Sequence, residues 1–158
     1  WNVVMDKQEL EKLKERVKQE EGTRHIHVPY FETSGRKPDF EVEYELDIDP
    51  ELGAIKPSQG MRCDFLYEGD DPKTDGIYMI WPELLDENGE VILDKRIAPA
   101  QSGKATMWIG MHEAREKIHR NRIKVGTKGY WVVGSKELAK VTVTKILGLF
   151  ENEARRLG

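Results

Sequence analysis

Between Asp39 and Asp49 the chain alternates without a break. Phe40, Val42, Tyr44, Leu46 and Ile48 take one side, and Asp39, Glu41, Glu43, Glu45, Asp47 and Asp49 take the other. A period of two predicts a strand over 39–49 with one buried face and one solvent face. Pro50 and Gly53 close it. Upstream the period changes. In "MDKQELEKLKERVKQEEG", Leu10, Leu13 and Val17 recur at helical spacing, Asp6 and Glu9 form a capping-box-like pair, and Gly22 supplies a stop. The spacing predicts a helix over 7–20 with a narrow apolar stripe. "TRHIHVPYFETSGRKPD" between them reads as extended chain that turns at Ser34-Gly35 and Pro38, and "IKPSQG" reads as a linker.

From Gly60 onward the pattern is strand after strand. Cys63, Phe65 and Tyr67 alternate on one side, "DDPKTDG" is a polar loop, and Asn88-Gly89 stands between two apolar runs as a hairpin signal. "ATMWIGM" is a further strand and "HEAREKIHRNR" a short helix. "KGYWVVGS" and "LAKVTVTKIL" make a closing hairpin, and "ENEARRLG" a frayed tail. Short strands with frequent turns predict a mainly β fold, a small barrel or sandwich. The domain reading is an extension at 1–57, a barrel at 58–148 and a tail at 149–158.

A length of 158 residues suits one domain. Hydrophobic residues make up 38% and charged residues 34%, which predicts a small core anchored by aromatics. The single cysteine, Cys63, rules out an internal disulfide, and its place on an apolar strand face predicts a buried, inert thiol. No apolar run approaches the roughly 20 residues that span a bilayer. With no leader-like start, these features lead to an expectation of a cytoplasmic protein. The net charge of −4 is unevenly spread: residues 1–60 carry −5, 61–101 carry −6 and 102–158 carry +7. Such asymmetry bears on association rather than on fold.

Two stretches carry a family resemblance. "RCDFLYEGDDPKTDGIYMIWPEL" has an opening strand, a polar loop and a second strand ending in an aromatic-proline step. "RIKVGTKGYWVVGSKELAKVTVTKIL" has a glycine turn, an aromatic strand, a second glycine turn with a basic residue, and a Val/Thr strand closing in Ile-Leu. Together, over about 60–147, they resemble the third, C-terminal β-barrel domain of translation elongation factor Tu and its relatives. The resemblance implies a six-stranded-type barrel and a role beside transfer RNA; the helix and strand read in 1–57 make an N-terminal extension to it. The chain lacks a phosphate-binding G-x-x-x-x-G-K-[ST] loop, and "HEAREKIHRNR" departs from the family pattern. No RNA-contacting position of the family is carried over.

The carboxylates Asp39, Glu41, Glu43, Glu45 and Asp47 form a candidate docking strip for a basic partner; the plainer reading is a charged solvent face that deters aggregation. The basic C-terminal third, with Arg122, Lys124, Lys128, Tyr130 and Trp131, is a candidate RNA face, since phosphates attract cations and exposed rings stack bases. On a regular strand only one of Tyr130 and Trp131 can point inward. His25 and His27 flank Ile26 and could share a metal on a strand face, though no third ligand is near in sequence. His112 and His119 stand two helical turns apart and could share a face as acid–base groups of a hydrolase. No nucleophile elbow or triad is legible, so no catalytic residue and no cofactor is assigned. The expected function is a non-enzymatic macromolecule-binding protein, first an inhibitor- or immunity-like protein-binding module. The alternatives are an RNA-binding accessory factor and a cryptic His-dependent hydrolase.

Overall fold

The computed structural model describes residues 7–12, 25–47, 57–134 and 136–153. Its elements are α1 (Tyr30–Ser34), β1 (Phe40–Leu46), β2 (Cys63–Tyr67), β3 (Tyr78–Leu84), β4 (Ser102–Ile109), α2 (His112–Ala114), a π-helical turn (Arg115–His119), α3 (Arg120–Arg122), β5 (Lys128–Val133) and β6 (Lys136–Ile146). The six strands close into an antiparallel barrel in the order β1-β4-β3-β2-β5-β6, with β6 returning to β1. Closure leaves no exposed sheet edge. The mainly β, six-stranded expectation is therefore met.

The alternating strand is a stave of that barrel. β1 pairs with β4 on one side and β6 on the other, so the barrel starts at Phe40 and not at the expected residue 58. Its inner side chains Phe40, Val42 and Tyr44 are buried, as the period of two requires. Residues 7–12 are helical; the rest of the expected 7–20 helix, and Ile48 and Asp49 of the expected strand, lie outside the described residues. The core continues through Phe65, Tyr67, Ile80, Met107, Ile109, Trp131 and Val143. Cys63 lies in the wall, buried, and burial pushes its thiol up to about 12.

Three local expectations need correction. The "IKPSQG" linker includes Gln59, whose buried side-chain amide donates to the Leu84 and Ile92 carbonyls and accepts from the Leu84 N–H, closing the end of β3 as a strand would. The hairpin at Asn88-Gly89 is a turn over Asp86–Glu90 followed by a single bridge, Leu85 to Val91, because Asp86 Oδ1 draws the Asn88 and Glu90 amides into the turn. The tail at 149–153 is packed: Leu149 is fully buried and the Asn152 side chain reaches Lys37 and Asp39.

The strand registers place the starts of β1, β3 and β5 and the ends of β2, β4 and β6 at one mouth. β4 and β5 stand on opposite walls, so residues 112–122, which join them, cross this mouth. Gly129 of β5 lets the wall close here. A Cβ at that position would stand 2.5 Å from the Phe65 ring and 2.7 Å from the Leu66 carbonyl oxygen.

Candidate functional site

Antiparallel pairing sets Trp81 of β3 directly opposite Trp108 of β4. Both point outward from the barrel, since Ile80 and Ile109 beside them point in. Two indoles side by side on a barrel exterior need cover. The cover is the segment 25–36. Its first residues pair with 93–95, with the His27 amide donating to Leu93 O at 2.7 Å and the Lys95 amide to His25 O at 2.8 Å. Pro29 then starts α1, and Gly35 ends it in the left-handed conformation at φ 67°.

A buried polar clasp holds this strap. Glu83, outward-facing on β3, meets His27 Nε2 at 2.6 Å and accepts the Tyr30 amide at 2.9 Å. His27 and Glu83 are each 3% exposed. The clasp leaves the Tyr30 ring edge-on to both His27 and Trp108, at centroid distances of 4.8 and 5.7 Å. Burial, and then the Glu83 charge, push the Tyr30 hydroxyl up to about 12, so it remains a neutral donor at any physiological pH.

The strap does not cover the indole pair completely. An open cleft of about 410 Å³ remains, walled by Tyr30, Trp81 and Trp108, with Ser34, Arg36 and His112 at its polar side. Its size falls in the range of ligand-binding clefts. Among the described residues that line it there is no carboxylate. Gly110 is part of the lining, and a Cβ there would sit 2.4 Å from the Trp81 ring, so the indole packs closely against this glycine. His112 is oriented from behind: Arg115 Nη1 lies 2.9 Å from its Nδ1. A guanidinium can only donate, so Nδ1 accepts and the ring proton is on Nε2. Glu116, 3.6 Å from that nitrogen, is 65% exposed and stays outside the lining. Phe31 and Met111, 59% and 54% exposed, stand on the same two segments as Tyr30 and His112.

The residues singled out from sequence are distributed differently. Asp39 is fully buried and does not belong to an exposed strip. Its carboxylate meets Arg115 Nε at 2.7 Å and also accepts from the Ile109 amide and Asn152. The physical reason is that residues 112–122 and 147–152 cover the outer face of β1 at this mouth. Glu41, Glu43 and Glu45 do share the outer face of β1, but each has a lysine opposite it in register: Lys145, Lys104 and Lys140. Asp47 follows the strand, half-buried. The stripe is of mixed sign, not wholly acidic.

The basic face divides similarly. Trp131 is the inward ring of its pair, fully buried against Tyr44, and is unavailable for stacking. Tyr130 faces out, half-buried. Arg122 is engaged: it forks onto Asp70 at 2.6 and 3.0 Å and lies 3.9 Å over the Tyr67 ring. Lys124 and Lys128 remain exposed.

The histidine pairs separate. His27 belongs to the Glu83 clasp, while His25 stands at the turn before it. Among the described residues no group of three or more His, Cys, Asp or Glu is arranged to hold a metal ion. His112 and His119 share no face, because the π-helical turn between them breaks α-helical phase. His112 borders the cleft. His119 is buried inside the mouth, its Nδ1 2.6 Å from the Tyr67 hydroxyl and its Nε2 without a hydrogen-bond partner. The two cannot serve one substrate.

Sequence reasoning missed the cleft. Trp81, Trp108 and Tyr30 come from three separate stretches, and only strand register and the strap bring them together. The available signals were Pro29 and Gly35 bracketing a helix-length segment, and the aromatic of each of two neighbouring strands. No protein-family model matches the chain, and no curated protein matches it. Fold and site together define a closed six-stranded barrel with a strapped outer wall and an aromatic cleft. Among the described residues, no helix is long and apolar enough to cross a membrane.

Proposed function

We propose that this chain is a non-enzymatic, protein-binding module that captures its partner at the Tyr30–Trp81–Trp108 cleft. The observation that carries the reading is the cleft itself: three rings from three elements, with a buried clasp behind them and exposed Phe31 and Met111 next in the chain to Tyr30 and His112. Trp, Tyr, Arg, Phe and Met are the residues that protein interfaces concentrate at their centres. The charged stripe on β1 is a weaker candidate, since a basic partner approaching Glu43 and Glu45 would also meet Lys104 and Lys140. The RNA reading retains Lys124, Lys128 and Tyr130, beside the acidic loop that holds Asp70, Asp71 and Asp75. The reading places the protein in the cytoplasm. It also takes the barrel to be akin to the third domain of elongation factor Tu, on the support of six staves and a closing hairpin that turns at Gly134.

Affinity capture from the native cell, with and without nuclease, tests the reading. Capture should survive nuclease and fall by at least about tenfold in Trp81→Ala, as for a central aromatic anchor. A Glu43→Lys/Glu45→Lys double variant should retain it. Loss in the double variant with retention in Trp81→Ala would move the interface to β1.

A further inference from the structure

We infer that the outer edge of the strap, at Ile26 and Val28, takes a partner by strand addition: an extended segment of another protein pairs its main chain with these two residues and lays apolar side chains against theirs. This rests on the reading of the chain as a protein-binding module and names the form in which the partner arrives.

Closure leaves the barrel itself no sheet edge, but the strap lies outside the barrel. Its inner edge is paired: the His27 amide donates to Leu93 O, and the His25 carbonyl accepts from the Lys95 amide. These two bonds flank the bridge between Ile26 and Asp94, so the N–H and C=O of Ile26 point to the other edge. Val28 precedes Pro29, which favours extended backbone, and repeats that orientation two residues on. Among the described residues, neither the Ile26 nor the Val28 backbone makes a hydrogen bond. The side chains alternate in the same way. His27 turns toward Glu83 and is buried, while Ile26 and Val28 turn away and are 52% and 50% exposed.

Donors and acceptors that recur every second residue, about 6.6 Å apart, match the main chain of another extended segment. Protein edges are commonly guarded by charge or by proline. Neither Ile26 nor Val28 is charged, and Pro29, of the opposite parity, takes no donor from this edge.

Size decides between a partner and a second copy. Two copies joined here would share only about four main-chain bonds, from two residues each. That is far short of the roughly 800 Å² a side that a stable dimer buries. A foreign segment is not held to two-fold symmetry. It can follow the strap past Pro29 to Tyr30 and the exposed Phe31, where the aromatic cleft adds contact.

The test records the amide resonances of the full chain by NMR, with acetyl-Thr-Ile-Thr-Val-Thr amide as the probe. A second probe carries methyl groups on the Ile nitrogen and on the nitrogen of the Thr after it. This leaves every side chain in place and removes a donor from each edge of the peptide. In the free protein the Ile26 and Val28 amides should exchange with solvent faster than the paired His27 amide. The first peptide should shift both and slow their exchange. The methylated peptide should bind at least about tenfold more weakly, the scale of a lost main-chain hydrogen bond. Equal binding of the two peptides, or no shift at Ile26 and Val28, would overturn the inference. Shifts confined to the Trp81 and Trp108 indole N–H signals would overturn it too, while leaving the cleft as the protein-binding site. Shifts at Ile26 and Val28 that grow with protein concentration in the absence of peptide would assign the edge to a second copy instead. The comparison of peptides needs no variant, so no folding defect can obscure it, and the wider reading stands or falls separately on the capture experiment.

Discussion

His119 shows how one side chain can tie the stability of this barrel to pH. It is fully buried among Phe65, Tyr67 and Tyr78, with its Nδ1 on the Tyr67 hydroxyl. Burial pushes its pKa down to about 4; the Asp39 charge opposes this, and Arg115 and Arg122 reinforce it. The unfolded chain, with a histidine near the ordinary value of about 6.5, binds the proton more readily. Stability is therefore complete above about pH 6.5 and is lost as pH falls toward 4, by about 3 kcal/mol if His119 acts alone. Urea unfolding at pH 7 and pH 4.5 should show this loss. His119→Phe should flatten the dependence, because no imidazole remains to charge.

Single elements show the same dependence on close approach. β5 runs past the Phe65 ring at Gly129, and its register with Tyr67 and Val141 requires a residue without a side chain there. Gly129→Ala should destabilise by about 1–3 kcal/mol, the usual cost of overpacking a wall that cannot move. Thermal or denaturant unfolding reads this directly. A Gly35→Ala change should cost less, since a Cβ there meets nothing and only the left-handed backbone resists it. The strap is an element of another kind. Its own regular structure is the five-residue α1, and its position depends on a clasp between residues 56 positions apart.

At the scale of the molecule, the capped mouth unites the chain. Asp39 at the start of β1, Ile109 at the end of β4, Arg115 in the π-helical turn and Asn152 after β6 share one buried network. Every oxygen of Asp39 has a donor, which is the condition under which a buried ion pair is tolerated. Removing one partner leaves an uncompensated buried charge. Arg115→Met should cost about 3–5 kcal/mol, and Asp39→Asn in the same chain should recover part of it. A double-mutant cycle in urea measures the coupling.

What the amino-acid order determined by itself was the set of faces. Alternation at 40–46 and 63–67 is a local, period-two property, and burial of the apolar side follows from it wherever the strand ends up. The turn glycines and the closing hairpin are local in the same sense. The charged side was harder to read. Asp39 and Glu41 look alike in the sequence, yet one is sealed under a distant segment and the other pairs across strands with Lys145. Solvent exposure depends on what else packs nearby, and that is a tertiary fact. The cleft lies further still from local pattern. Trp81 and Trp108 meet through register, Tyr30 arrives through the Glu83 clasp, and the π-helical turn sends His112 outward and His119 inward. Only chain closure brought them to their places, because each contact joins residues whose separation in sequence carries no signal of their separation in space.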